Sequence, residues 1–304
     1  MEYSVVEKKV SSSNKTTMLV GKVYLPQGKI KGYFHVVHGK TEHIARYDSF
    51  MKVLAESGYI VFGYDHLGHG YTATSDSELG HFADRGGDEL IAQDVMNFAN
   101  VVRKEYGDHP YYLMGHSMGS FVVRRAAQKY ITPDKLIIMG TSGPMPISIV
   151  GVYLAKLIRW IRGPKHYSSL IDMIAFGNYN AKYPKEEGPH AWLTTDESIR
   201  EAYHNDKFCT FNFTVSAMHD LINLLNLVNK DEWFRDVANK MPILLVSGAD
   251  DVVGEYGKGI MRVDKKLREN GADVTTKLYV GNRHEILNDK SRDECIKDIL
   301  DFIK

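Results

Sequence analysis

Short apolar runs alternate along this chain with longer stretches of helical periodicity. The runs are rich in β-branched and aromatic residues, and several are apolar nearly throughout, which is typical of strands buried on both faces of a parallel sheet. They predict strands at Met18 to Tyr24, Gly32 to Val37, Tyr59 to Tyr64, Tyr111 to Met114, Lys135 to Met139, Pro242 to Val246 and Val274 to Val280. The first two runs precede any predicted helix, so we expect an antiparallel edge there.

Amphipathic stretches separate most of these runs. They predict helices at Arg46 to Ser57, Asp88 to Tyr106, Ser117 to Tyr130, Tyr256 to Asn270 and Arg292 to Ile303. Regular alternation of strands and helices indicates βαβ units, so we predict an α/β fold with a mostly parallel central sheet flanked by helices.

Residues 143–233 break this alternation. They hold Gly-Pro pairs and helical patches but no convincing central strand. A compact domain does not leave so long a stretch as bare loop. We therefore predict a helical cap inserted into a core made of residues 1–142 and 234–304. Its run from Ile147 to Arg162 is apolar with basic residues toward the end, which fits either a helix packed on the core or a face that touches lipid.

Composition narrows the class of protein. The chain has 304 residues, with 38 Lys and Arg against 38 Asp and Glu, so no net charge attracts nucleic acid. Cys209 and Cys295 form neither a disulfide framework nor a metal-ligand spacing. The N-terminal residues lack the pattern of a signal peptide, and no stretch reaches the ~20 apolar residues of a membrane span. We therefore expect a cytoplasmic enzyme without a nucleic-acid partner.

The segment Gly115-His116-Ser117-Met118-Gly119 matches the pattern G-x-S-x-G. The pattern alone is weak, but here it follows an apolar run and opens a helical one, which is the strand–turn–helix setting of a nucleophile elbow. Glycines suit the crowded turn because they add no side chain. Ser117 is therefore the predicted nucleophile.

A serine hydroxyl needs a base to accept its proton, and the base needs an acid to orient it. In elbow enzymes the acid and then the histidine follow the serine along the chain. His284 is the histidine beyond the last-but-one predicted strand, so we predict it as the base. Asp250 and Asp251 both follow the strand that ends at Val246, and spacing alone leaves the choice between them open.

The tetrahedral intermediate of ester hydrolysis needs backbone N–H donors for its oxyanion. One donor is expected from Met118, the residue after the nucleophile, and the other from the loop after Val37. Within that loop we assign the Lys40 N–H, with its side chain pointing elsewhere.

These motifs together resemble the monoacylglycerol lipase and lysophospholipase branch of the α/β-hydrolases, which overlaps the serine aminopeptidase hydrolases. The matching stretches are His38-Gly39, Glu42-His43, Arg46-Tyr47, Asp65 to Gly70, Gly115 to Gly119, Ser247 to Asp251 and Arg283-His284-Glu285. They follow the family's order and cover nearly the whole chain.

The resemblance implies a serine hydrolase that cleaves small-molecule acyl esters through an acyl-enzyme, with no cofactor and no metal. It selects Asp251 as the acid, because the family places that residue three positions after the glycine of this motif. It also implies a polar, alcohol-binding exit near Glu42 and Arg46. Lys40 and Leu287 depart from the family pattern at positions that bear on the alcohol specificity.

The predicted cap gives an expectation about the substrate. A roof that includes Ile147, Val150, Leu154, Leu157 and Ile161 is expected to bury one acyl chain, so we predict good hydrolysis of medium-chain monoacyl esters and poor hydrolysis of triacylglycerols. The alternatives are a short-chain carboxylesterase, an amidase or peptidase of the same fold, and a scaffold that binds without catalysis.

Two other motif matches are weak. Gly68 to Ala73 fits a dinucleotide-binding pattern, but the polar, turn-rich residues after it do not open a helix. His284-Glu285 begins like a zinc-binding H-E-x-x-H, but Asn288 replaces the second histidine. Aspartate-nucleophile hydrolases are disfavoured because the elbow holds a serine.

Overall fold

A computed structural model describes residues 2–304 and contains one eight-stranded sheet. The strand order is β1-β2-β4-β3-β5-β6-β7-β8, in which β1 and β2 are antiparallel to their neighbours and β3 to β8 run parallel. The strands are β1 Tyr3–Ser11, β2 Met18–Pro26, β3 Gly32–Val37, β4 Tyr59–Tyr64, β5 Tyr111–His116, β6 Lys135–Met139, β7 Ile243–Gly248 and β8 Val274–Tyr279.

Helices cover both faces of the sheet. Apolar residues of α1 and α10 fill the layer on one face, and those of α2, α3 and α9 fill the layer on the other. The helices are α1 Asp48–Glu56, α2 Gly87–Tyr106, α3 Met118–Lys129, α4 Ile147–Arg162, α5 Ser169–Phe176, α6 Glu197–Asn205, α7 Val215–Leu227, α8 Asp231–Val237, α9 Lys258–Glu269 and α10 Arg292–Ile303. None of the helices in residues 2–304 is long and apolar enough to cross a membrane.

Parallel strands end at a common edge of the sheet, where ligands of open α/β folds bind. The loops after β3, β5, β7 and β8 meet at this edge, and they carry Lys40, Ser117, Asp251 and His284 respectively. The sheet topology therefore assembles residues that are far apart in sequence.

Residues 143–233 lie between β6 and β7 and are all described by the structure. They contain α4 to α7 and the start of α8, and no strand. Helix α7 packs against α4 on one side and against α2 and α3 of the core on the other. This segment is called the helical insertion below.

The predicted strands and helices agree with the structure except at one edge of the sheet. Strand β1 was not predicted, since most of its residues are exposed and its Glu7-Lys8-Lys9 segment interrupts any apolar run. The antiparallel edge is made of β1 and β2 rather than of the first two predicted strands. Gly32–Val37 is instead a central parallel strand, because it pairs with β4 and β5.

Candidate active site

Ser117 occupies a strained turn between β5 and α3. Its backbone has φ 53° and ψ −122°, a conformation that side-chain-bearing residues rarely adopt and that is found preferentially at functional sites. A Cβ at Gly115 would lie 2.2 Å from the carbonyl oxygen of Gly119, and a Cβ at Gly119 would lie 2.2 Å from that of Val37. The two glycines of the motif are therefore required by close backbone approach.

Neighbouring strands hold this turn in place. The Ser117 N–H donates to the Met139 carbonyl at 3.0 Å, and the Ser120 hydroxyl donates to the Ser117 carbonyl at 2.6 Å. Arg124 lies behind them, fully buried, with its guanidinium 4.1 Å from the Trp233 ring. Burial lowers the pKa of Arg124 to about 9.

His284 and Asp251 form a buried hydrogen-bonded pair. His284 Nδ1 lies 2.9 Å from Asp251 Oδ2, and both side chains are almost completely buried. An ionised carboxylate only accepts hydrogen bonds, so Nδ1 donates and Nε2 keeps its lone pair. Within residues 2–304, His284 Nε2 is buried without a hydrogen-bond partner. It is therefore free to accept a proton.

The structure separates the two candidate acids. Asp251 is buried, and its second oxygen accepts the Val253 N–H at 2.8 Å. Asp250 is exposed to solvent, and its backbone carbonyl accepts a hydrogen bond from the Tyr183 hydroxyl at 2.6 Å. Asp251 has the geometry of an orienting acid, and Asp250 does not.

The loop after β3 lies directly against the elbow. A Cβ at Gly39 would lie 2.9 Å from Ser117 Cβ, and Thr41 adopts a strained φ of 49°. Within the described chain, neither the Lys40 nor the Met118 N–H donates a hydrogen bond to the protein. Both N–H groups therefore remain available to an oxyanion.

A buried network of charged groups lies behind this loop. Arg46 donates to Glu42 Oε2 at 3.0 Å and binds both oxygens of Glu285, at 2.6 and 2.7 Å. Glu42 also accepts the Gly39 N–H at 2.5 Å. Burial raises the pKa of both carboxyls, but the hydrogen bonds and positive charges of their partners outweigh it and lower both pKa values. Glu42 lines the active-site cavity, whereas Arg46 is held between the two carboxylates.

His116, next to Ser117 in the sequence, completes this network. Its Nε2 lies 3.1 Å from the His284 carbonyl and must donate to it. The Tyr47 hydroxyl donates to Glu42, so His116 Nδ1, at 2.9 Å from that hydroxyl, is a second donor. Burial lowers the pKa of His116, but its hydrogen bond to Glu42 outweighs it and raises the pKa. His116 is thus an imidazolium that ties the His284 loop to Glu42, a role that the sequence did not indicate.

A cavity of about 630 Å³ opens above Ser117 and His284. Core residues form its floor, and the helical insertion supplies most of its apolar wall. Ile147 and Leu154 line the cavity, as expected. Val150, Leu157 and Ile161 were also expected in the roof, but they are 60%, 52% and 61% exposed, because α4 turns them toward solvent.

One further group of side chains has metal-ligand chemistry. Atoms of His43, Asp206 and Cys209 lie within 4.8 Å of one another, the one such group found in the described residues. His43 Nε2 is already hydrogen-bonded to Asp206 at 2.8 Å. Burial also raises the pKa of the Cys209 thiol and so disfavours the thiolate that binds metals. The ion pair geometry and the raised pKa of the thiol therefore do not favour a metal site here.

Known proteins share this fold and sequence pattern. Monoglyceride lipase of Rattus norvegicus is 25% identical over 264 residues, which cover 85% of this chain and 77% of the relative. Monoacylglycerol lipase of Mycolicibacterium smegmatis is 25% identical over 294 residues, which cover 94% and 92%. A thermostable carboxyl esterase from Bacillus coagulans, solved in complex with glycerol, is 30% identical with a TM-score of 0.93, and the match covers 99% of this chain and 98% of the esterase.

The family assignment follows from a match to most of the chain. The model of the serine aminopeptidase S33 family matches residues 28–291. The chain therefore belongs to this family of α/β-hydrolases, in its monoacylglycerol lipase-like branch, and is a serine hydrolase of carboxylic esters with lipase- or esterase-like activity.

Proposed function

We propose that this protein hydrolyses monoacyl esters of small alcohols, monoacylglycerols among them, through an acyl-enzyme formed on Ser117. The observation that carries the proposal is the shared cavity: Ser117 and His284 both line it, with Asp251 hydrogen-bonded to His284 from behind. The relatives named as monoglyceride and monoacylglycerol lipases support the choice of substrate.

In the first half-reaction Ser117 Oγ attacks the ester carbonyl while His284 Nε2 takes its proton. Asp251 keeps His284 in the Nδ1–H tautomer and stabilises the imidazolium that forms. The tetrahedral intermediate then breaks its bond to the alcohol oxygen, and His284 returns the proton to that leaving group. Water repeats the sequence on the acyl-enzyme and releases the carboxylic acid.

The oxyanion of each tetrahedral intermediate is bound by the backbone N–H groups of Lys40 and Met118. Both are unpaired in the described chain, so no protein hydrogen bond has to break when the charge develops. Losing one such donor typically costs ~3–4 kcal/mol of transition-state stabilisation.

The helical insertion, predicted at residues 143–233, acts as a cap that covers the acyl chain of the substrate. This division between core and cap is supported by the cavity wall, to which α4, α5 and α7 contribute apolar side chains. A single covered cavity has room for one acyl chain rather than three. Glu42 remains the predicted contact for the alcohol, whereas Arg46, also predicted there, does not line the cavity and binds Glu42 and Glu285 instead.

A series of esters tests the proposal. We expect kcat/KM for p-nitrophenyl esters to rise from acetate by about fourfold per methylene, as ~0.8 kcal/mol per buried CH₂ implies, until the cavity is full. Monoacylglycerols should be hydrolysed well and triacylglycerols poorly. A maximum at acetate would instead identify a short-chain carboxylesterase, the second candidate; the similar Bacillus coagulans enzyme is named a carboxyl esterase. Equal turnover of mono- and triacylglycerols would contradict the covered cavity.

The exposed face of α4 and α5 supports a transient contact with lipid. Tyr153, Trp160 and Met173 are 67%, 82% and 63% exposed, an unusual apolar surface for a soluble monomer. Lys156 and Arg162 lie on the same helix as Trp160 and can attract anionic headgroups. The cytoplasmic location predicted from the sequence stays a prediction.

Vesicle sedimentation tests this contact. Trp160→Gln should weaken binding to vesicles that contain anionic lipid, because an amphipathic ring is removed from the interface. The matched control is Val280→Gln, which changes an 87% exposed residue on the core and should bind like the unmodified protein. Equal binding by all three proteins would exclude this face as the lipid contact.

A further inference from the structure

The side chain of Lys40 extends from the loop beside Ser117 into the aromatic wall of the cavity. Its Nζ lies 4.1 Å from the ring centroid of Phe176 and 5.1 Å from that of Phe213. The nearest carboxylate oxygen is Asp172 Oδ1 on α5, at 3.9 Å, which is beyond hydrogen-bonding distance. The ammonium is therefore only partly compensated.

An ammonium group has three N–H donors. In the described residues none of the three from Lys40 finds an acceptor in the protein, although the side chain is only 19% exposed. A cation that is largely shielded from water and has no hydrogen bond to the protein is unfavourable. Burial lowers the pKa of Lys40 to about 8, even though Asp172 raises it. The group needs acceptors that the protein does not supply.

The position of Lys40 in the cavity limits the possible sources of hydrogen-bond acceptors for its ammonium group. Among the described residues that line the cavity, Lys40 is the one Lys or Arg. Ile171, Ile174 and Ala175, on the same helix as Asp172, also line the cavity and are apolar. Glu42 and Glu285, in another part of the wall, are already neutralised by Arg46 and His116. An anion entering the cavity would meet a positive charge at Lys40 that Asp172 compensates only in part.

We propose that Lys40 Nζ is a specificity-determining group that binds a carboxylate on the acyl chain of the substrate. The preferred substrates then include half-esters of dicarboxylic acids. This inference rests on the proposed function, since it assumes ester hydrolysis at Ser117. The carboxylate supplies charge-assisted hydrogen bonds, which the surrounding rings strengthen by excluding water.

The backbone and side chain of Lys40 together set the length of the acyl chain. Its N–H is the proposed oxyanion donor, and its charge lies at the end of a flexible four-carbon stem. The carboxylate must therefore be separated from the ester carbonyl by several methylenes. Adipate, suberate and sebacate half-esters cover this range.

A purely structural role for Lys40 makes a different prediction. If the attraction between Lys40 and Asp172 served only to join the loop to α5, removing either charge would have the same effect. If Lys40 binds the substrate carboxylate, the Asp172 carboxylate competes with it for the Lys40 ammonium. Removing the charge of Lys40 and removing that of Asp172 would then change the preference for acidic esters in opposite directions.

The test compares p-nitrophenyl half-esters of adipic, suberic and sebacic acids with neutral hexanoate, octanoate and decanoate. The measured quantity is the ratio of kcat/KM for each acidic ester to that for its neutral partner. Lys40→Met should lower this ratio by about tenfold or more, as expected for a hydrogen bond to a charged group. Asp172→Asn should raise it severalfold in assays at pH 6, below the range in which Lys40 loses its charge. Lys104→Met removes an exposed lysine of α2 and should leave it unchanged.

Several outcomes overturn the inference. Ratios that shift in the same direction in Lys40→Met and Asp172→Asn would identify a structural contact, and ratios that do not shift would exclude recognition of a carboxylate. Either result, obtained with neutral esters that are still hydrolysed, leaves the proposed function intact. If the unmodified protein hydrolyses no neutral ester, the proposed function itself fails.

The pH dependence of the same ratio provides a second readout. Lys40 should lose its charge as the pH rises through about 8, so the preference for acidic esters should fall there. The titratable groups that face it are Asp172 on α5 and His69. His69, from the loop after β4, stays neutral because burial lowers its pKa to about 3. A ratio that is constant between pH 7 and pH 9 would contradict the assignment.

Discussion

The central strands and helix α4 both consist largely of apolar residues. The strands bury these residues, whereas the helix buries few of them. Strands β3, β4, β5 and β7 bury every residue. Helix α4 buries only Ser148, Val152 and Ala155 and leaves Trp160 82% exposed. Close packing of the sheet fixes the position of the loops at its edge. A helix that is held by only a narrow stripe of buried residues can move at a lower cost in free energy. The core thus supplies rigid geometry for the reaction, and the helical insertion supplies an adaptable apolar surface.

Removing the proposed nucleophile is the strongest test of the role assigned to the core. Ser117→Ala should lower kcat by about 10⁵–10⁶, as for triad nucleophiles elsewhere, and should abolish labelling by a fluorophosphonate. Thermal unfolding and circular dichroism should show a folded protein, since the hydroxyl carries no packing role. Labelling that persists on another residue would disprove the assignment.

The neighbouring aspartates test the geometry more finely. Asp251→Asn should reduce kcat by ~10⁴ because the amide no longer orients His284 as a base, whereas Asp250→Asn should cost less than tenfold. The two variants change the same chemical group one residue apart, and only Asp251 contacts His284. Equal losses, or the reverse order, would show that the acid lies elsewhere.

Two leucines on α4 test the part played by the helical insertion. Leu154 lines the cavity and Leu157 is 52% exposed, so Leu154→Trp should shorten the optimal acyl chain and Leu157→Trp should not. We expect about a tenfold loss in kcat/KM for long-chain esters with Leu154→Trp, because some two methylenes at ~0.8 kcal/mol each no longer fit. Hydrolysis of p-nitrophenyl acetate should change little in either variant. A large loss on acetate would mean that the insertion also positions the catalytic groups.

Acid should destabilise the core more than the helical insertion. His35, His38, His66 and His69 are fully buried beside the loop that carries Lys40. Burial lowers their pKa values, to about 3 for His35 and His69 and about 4 for His66, so all four fold as neutral groups. The unfolded chain binds protons below about pH 6.5. Their contribution to stability is therefore present above pH 6.5 and is lost as the pH falls toward 4.

Urea unfolding at a series of pH values measures this loss. Each such histidine adds up to about 1.4 kcal/mol per pH unit to the slope of the unfolding free energy. His66→Asn should flatten the slope, and His204→Gln, at an exposed position, should not. A slope that His66→Asn leaves unaltered would exclude His66 as a source of acid sensitivity.

Local sequence was sufficient to predict the segments whose residues are nearly all buried and the motifs that span only a few residues. The buried strands were predicted because both of their faces require apolar residues, and Arg292–Ile303 was predicted with the bounds that the structure has. Strand β1 was missed because an exposed edge strand needs no apolar run. The exposed side of α4 was also missed, since an apolar helix gives no sign in sequence of which side is covered.

The sequence by itself determined the strand–helix order, the elbow at Ser117 and the position of His284 after the last strand, because each depends on residues close together in the chain. Only the tertiary structure decided which neighbours surround Glu42, His116 and Lys40. Arg46 and Glu285 are 239 positions apart, and Lys40 meets Asp172 on a different element. Such contacts depend on how strands and helices pack. The pattern of charge or hydrophobicity along the chain does not specify which distant residue becomes the partner.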